Sequence, residues 1–136
     1  MLNNYRFGRH ITFDEYERMR NSTDWRWPVV VGNPTCPVLN RIHPLQQHNA
    51  EFIYKCAKQW NVDAKIALFG SSVRHDCYPW SDLDVYVDGT FDEYGLMSSD
   101  IEDYVDCDID WVFSKYVKVS DELMSSVNKG VVLYER

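Results

Sequence analysis

Two short runs hold most of the chemistry this sequence could do: Asp82-Leu83-Asp84 and, later, Asp108-Ile109-Asp110. Each lies in an alternating stretch. In 82–88, Leu83, Val85 and Val87 face one way while Asp82, Asp84, Tyr86 and Asp88 face the other. In 106–113 the aspartates again take one face, opposite Ile109, Trp111 and Phe113. If the two strands are neighbours, Asp82 and Asp84 converge with at least one of Asp108 and Asp110. Carboxylates gathered in this way repel, and either take up protons or hold a cation between them. A hard divalent ion with oxygen ligands resolves the repulsion, and Mg²⁺ is the candidate. The plainer alternative is a solvated acidic face of an antiparallel sheet, the usual meaning of a lone Asp-x-Asp in an acidic chain.

Upstream, Gly70-Ser71 follows the apolar run Ile66-Ala67-Leu68-Phe69. A glycine-serine turn at the end of a buried strand can offer backbone N–H groups and a hydroxyl to a phosphate, with no side chain in the way. Arg74 is placed to reach the same anion. By itself the turn says little. Joined to Asp82-x-Asp84 ten residues later, and to a third carboxylate on a later strand, it forms a phosphate cradle beside a cation site. Nucleotidyl transfer needs that set.

The elements that must position these groups are read from punctuation and periodicity. Thr12 caps a short helix over 12–19, with Glu15 at the capping-box position. Pro28, Pro34, Pro37 and Pro44, with Gly32 and Asn33, break regular structure from Trp25 onward, apart from a short strand at Val29–Val31. Residues 1–43 thus read as an appendage of undefined role, and 44–136 as the functional domain. Pro44 opens an amphipathic helix over 44–60, with Leu45, His48, Phe52, Cys56 and Trp60 at helical spacing. Strands follow at 65–69, 82–88 and 106–113, a helix at 92–104, a Ser120-capped helix stopped by Gly130, and an apolar segment at 131–134.

At 136 residues the chain is long enough for one domain. Its 14 Lys and Arg against 21 Asp and Glu give a formal net charge of −7, which argues against broad nucleic-acid or anionic-membrane binding. No apolar run has the length of a membrane span. Four scattered cysteines without metal spacing read as reduced thiols, so a soluble cytoplasmic protein is expected.

Phe69-Gly70-Ser71-Ser72-Val73-Arg74 followed by Ser81-Asp82-Leu83-Asp84-Val85 resembles the G-S-x10-D-x-D signature of the DNA polymerase beta-type nucleotidyltransferases, and most closely their minimal nucleotidyltransferase group. Ile109-Asp110-Trp111-Val112 is similar to the group's third-carboxylate strand. Gly130-Val131-Val132-Leu133-Tyr134-Glu135 is similar to its C-terminal segment. The resemblance covers about residues 45–136 and departs at His75, where the group often has glycine. It implies an α+β fold, a small mixed sheet flanked by helices. It also implies Mg²⁺, in a two-metal site, on Asp82, Asp84 and Asp110, and triphosphate at Gly70, Ser71 and Arg74. Asp110 would act as base, with Asp108 in reserve for that role.

The resemblance further implies transfer of AMP from ATP to a hydroxyl on a protein or small molecule. Domains of this group often serve as the antitoxin of a separate helical HEPN-type toxin. The alternative is a catalytically silent module of the same fold that binds a protein. The remaining chemistry-bearing residues read as structural. His75 is expected in a solvated loop, and His10, His43 and His48 as structural or surface groups. Cys56 and Cys107 are expected buried, Cys36 and Cys77 in loops. The tryptophans are expected mostly in the core, with Trp80 the one placed to lie near a base. Lys115 and Lys118 read as solvated, and Tyr134 as packing.

Overall fold

The computed structural model describes residues 12–14, 18, 25–90 and 96–136. Pro44–Gln46 forms one 3-10 turn, with Nδ1 of His43 accepting the Leu45 N–H at 3.1 Å. The α-helix proper, α1, runs Gln47–Trp60. The proline therefore opens the element as expected, but the first turn is wound tighter than α. Asn61, in the left-handed region at φ 49°, ends α1 and donates its N–H back to Ala57 and Lys58. Four strands follow, interleaved with two helices: β1 (Asp63–Phe69), β2 (Leu83–Thr90), α2 (Leu96–Tyr104), β3 (Ile109–Phe113), α3 (Asp121–Asn128) and β4 (Val131–Glu135). Ser120 caps α3, its hydroxyl accepting the Leu123 N–H at 3.1 Å.

The strands form one mixed sheet in the order β3-β2-β1-β4. β1 is antiparallel to both β2 and β4, and β2 is parallel to β3. A parallel pair needs a crossover, and α2 supplies it between β2 and β3. Together with α1, α2 and α3 this gives the α+β architecture with a small mixed sheet expected from the sequence.

The alternation decides which face each side chain takes. Leu83, Val85 and Val87 are buried against Ile53, Leu68, Ile101 and Val131 in the larger core. Ile53 and Leu68 are fully buried, so truncation of either to alanine should cost about 2–5 kcal/mol. On the opposite face, Tyr86, Ala67, Phe69 and Val127 form a smaller cluster flanked by Val112, Leu123 and Met124. The face that carries the aspartates is thus half covered by α3, and the carboxylates occupy the part α3 leaves open.

Residues 25–43 pack onto this frame. Cys36, Leu39 and Ile42 belong to the larger core. The segment is fixed by two buried polar side chains of α1. Gln47 Nε2 donates to the carbonyls of Pro28, Leu39 and Ile42 at 2.8–3.0 Å. The Glu51 carboxylate accepts from the N–H and hydroxyl of Thr35 and from the Cys36 N–H at 2.7–3.0 Å. No strand forms at Val29–Val31; the Val30 N–H instead donates to Gln47 Oε1 at 2.7 Å. Most of the helix expected at 12–19, and the start of the one expected at 92–104, lie outside the described residues. Among the described residues no helix is long and apolar enough to cross a membrane.

Candidate active site

The site begins where β1 stops. Phe69 pairs with Asp84, and the next residue, Gly70, turns away at φ +72°. A Cβ placed on Gly70 would overlap Asp84 Oδ2. The glycine therefore answers two demands at once: a left-handed backbone and room for a carboxylate against the main chain. Gly70–Val73 form a single 3-10 turn, closed by the Arg74 N–H donating to the Ser71 carbonyl at 3.1 Å. Val73 is buried below the turn, and the His43 N–H holds the Ser72 carbonyl at 2.7 Å. Ser71 stays half-exposed on the outer side.

Across the sheet, the register sets Asp84 beside Asp110 on the parallel neighbour β3. Asp110 and Asp82 are exposed, while Asp84 is half-buried. Burial first, then the charges of Asp110 and Asp82, lift the Asp84 carboxyl from 3.8 to about 6, against a smaller downward pull from Arg74. Asp108 lies just outside β3, its carbonyl accepting the Leu83 N–H at 2.9 Å. Asp110 is thus the carboxylate that faces Asp84, and Asp108 stands one step further out. Among the described residues no three His, Cys, Asp or Glu side chains are gathered closely enough to hold a metal ion. Asp82 and Asp110 act on Asp84 through space, as repelling carboxylates do. Their chemistry nonetheless suits a hard divalent cation: oxygen donors from two adjacent strands, one of them pressed against a backbone turn and carrying an unbalanced charge.

Residues 50–133 match the family model of the nucleotidyltransferase domain. The chain belongs to that family. The matched span holds every residue singled out above for phosphate, metal or base. A search of curated proteins found no match.

In this nucleotidyltransferase domain, Arg74 turns toward Asp76. Its Nε and a terminal guanidinium nitrogen donate to the two carboxylate oxygens at 3.0 and 3.1 Å. This two-pronged pair lies beside the turn at Gly70–Val73, so Arg74 approaches Asp84 in charge while its hydrogen bonds go to Asp76.

His75 is not in a solvated loop. It is buried at 2% exposure, its ring 4.8 Å from that of Trp25 and 5.2 Å from that of Trp27, and Trp27 also packs on His43 at 5.5 Å. These four rings join residues 25–43 to the turn that carries Ser71 and Arg74, a link no local sequence pattern signals. Other expectations change in the same way. Cys56 is buried and Cys36 and Cys77 lie in loops as expected, but both loop cysteines are buried as well, and Cys107 is only half-buried, near Gln46 and Asn49. Of the tryptophans, Trp27 is buried, whereas Trp60 and Trp80 are exposed. Tyr134 packs as expected, its hydroxyl donating to the Val62 carbonyl at 2.9 Å, and Lys115 and Lys118 are exposed.

Proposed function

We propose that this domain transfers a nucleotidyl group in a Mg²⁺-dependent reaction, moving AMP from ATP to a hydroxyl on a protein or small molecule. One observation carries the reading: Asp84 is wedged between the Gly70 backbone and Asp110, and its carboxyl is raised to about 6. A folded chain that keeps so disfavoured a charge beside a glycine turn has the form of a site built for a ligand. Asp82, Asp84 and Asp110 would hold the metal, which when bound supplies positive charge to the reacting phosphate.

The chain's own groups do the rest. The backbone of Gly70 and the N–H and hydroxyl of Ser71 would orient the β- and γ-phosphates, and Arg74 would join them by exchanging Asp76 for phosphate oxygens. The acceptor hydroxyl oxygen attacks the α-phosphorus, and the bond from that phosphorus to pyrophosphate breaks. An Asp110 carboxylate oxygen takes the hydroxyl proton. The acceptor is exchangeable in this scheme. A separate HEPN-type helical protein is one candidate, which would make the domain an antitoxin acting in the cytoplasm.

The alternative is a silent, protein-binding form of the fold. The Arg74–Asp76 pair favours it, because a carboxylate already occupies the phosphate-facing cation. Titration calorimetry with ATP and Mg²⁺ separates the two. The enzyme reading expects metal-dependent binding and turnover that Asp82→Ala and Asp84→Ala abolish with the fold intact. Turnover unchanged in both variants would refute it, and no binding at all would favour the silent module.

A further inference from the structure

Trp80 is 76% exposed, an unusual place for an indole, and it is held there firmly. Tyr78, Pro79, Trp80 and Ser81 form a tight turn closed twice between the same two residues. The Ser81 N–H donates to the Tyr78 carbonyl at 3.0 Å, and the Ser81 hydroxyl accepts the Tyr78 N–H at 2.9 Å. Pro79 fixes φ at the second position of the turn. Gln46 Nε2 ties the Ser81 carbonyl to the start of α1 at 3.3 Å. The Trp80 ring lies parallel to that of Tyr78, at 4° between planes and 5.2 Å between centroids, which leaves one broad indole face open to solvent.

Position says what that face is for. Gly70, the first residue past the end of β1, Asp84 on β2 and Asp110 on β3 define a line across the sheet. With triphosphate at the Gly70 end and the attacking hydroxyl at the Asp110 end, in-line displacement uses both directions of this line. The nucleoside, a third substituent on the α-phosphorus, must leave it sideways. Trp80 belongs to none of these strands: it sits in the turn that leads into Asp82 and β2, with its Cα at most about 7.6 Å from that of Asp82. A nucleobase is uncharged, so the surrounding aspartates do not repel it, and any base offers a ring to stack.

We propose that Tyr78 and Trp80 form a preorganised platform, with Trp80 stacking the nucleobase of the donor triphosphate. This rests on the nucleotidyl-transfer reading, and the test separates the two. Binding of ATP and of inorganic tripolyphosphate, each with Mg²⁺, is measured by calorimetry for the full chain, Trp80→Ala and Trp80→Phe. Trp80→Ala should weaken ATP about tenfold, or about 1.4 kcal/mol, leave tripolyphosphate within about twofold, and be largely rescued by Trp80→Phe. ATP affinity unchanged in Trp80→Ala would overturn the platform and leave the phosphate site standing. Equal loss for both ligands would overturn it too, since the turn would then act on the phosphates. If the unaltered chain binds neither ligand, the nucleotide reading fails and the platform with it.

Discussion

Asp84 offers the sharpest quantitative test, because the structure sets both the sign and the size of its effect. Its carboxyl is lifted from 3.8 to about 6 by burial, by Asp110 and by Asp82, in that order. A raised pKa in the folded state means that the ionised form destabilises folding. The penalty is absent below about 3.8, where folded and unfolded chains both carry the proton, and complete above about 6, where both have lost it. At about 1.4 kcal/mol per pH unit the rise corresponds to about 3 kcal/mol. The group is only half-buried, so solvent screening reduces this to about 1–2 kcal/mol. Asp84→Asn keeps the shape and removes the charge. It should therefore stabilise the metal-free protein at pH 7.5 by about 1–2 kcal/mol, raising Tm by about 5 °C. The gain should fade as pH falls from 6 to 4. Urea melts of both proteins across that range measure it directly. Equal stability of the two at pH 7.5, or a gain that does not fade at pH 4, would refute the account of Asp84 as a charge held against the fold's preference.

Gly70→Ala should destabilise by about 2–4 kcal/mol, since it combines a left-handed φ with a Cβ that overlaps Asp84 Oδ2; Gly70→Ala combined with Asp84→Gly should recover the steric part, as a double-mutant thermal melt would show. Asp76→Asn should free Arg74 and tighten tripolyphosphate binding about two- to fivefold, a modest gain because the pair is partly exposed; unchanged affinity by calorimetry would mean that Arg74 does not meet phosphate. Glu51 has a lowered pKa: burial opposes its charge, but the N–H groups of Cys36 and Thr35, the Thr35 hydroxyl and Lys55 outweigh burial. Its contribution is therefore present above its ordinary value of 4.5 and lost as pH falls through the folded value, so Glu51→Gln should cost about 1–3 kcal/mol at pH 7 and less at pH 3, measured by chemical denaturation.

The site was legible in the sequence wherever local periodicity and spacing carry the information. Strict alternation in 82–88 placed Leu83, Val85 and Val87 in the core and set Asp84 on the other face, as the burial of the strand shows. Gly70 could be read as a turn because a buried strand ends at Phe69. Ser120 announced the start of α3 through its own chemistry. Partners far apart in the chain were not legible. No local pattern marks Gln47 or Glu51 for burial, yet both are buried because irregular backbone 5 to 19 residues earlier needs their hydrogen-bonding groups. His75 looked solvated because its neighbours in sequence are polar, while Trp25 and Trp27, which cover it, arrive from a segment with no periodicity. Tyr86 shares its face with aspartates and is nevertheless buried, because α3 covers that half of the face.

These long-range contacts also explain how the fold tolerates Asp84. A half-buried, repelled carboxylate would gain freedom and solvent if the Gly70–Val73 turn opened, so the turn must be held from elsewhere. Three attachments do this. Val73 is buried in the core beneath the turn, the His43 N–H holds the Ser72 carbonyl, and the ring cluster of Trp25, Trp27, His43 and His75 fixes the residue after Arg74. Two of the three depend on residues 25–43, which are held in turn by Gln47 and Glu51. The segment preceding α1 therefore bears on the geometry of the carboxylates without touching them. A substitution that loosens it, such as Trp27→Ala, should relax Asp84 toward an ordinary carboxylate pKa. In that background Asp84→Asn should stabilise less than in the unaltered chain, a coupling that double-mutant denaturation would read.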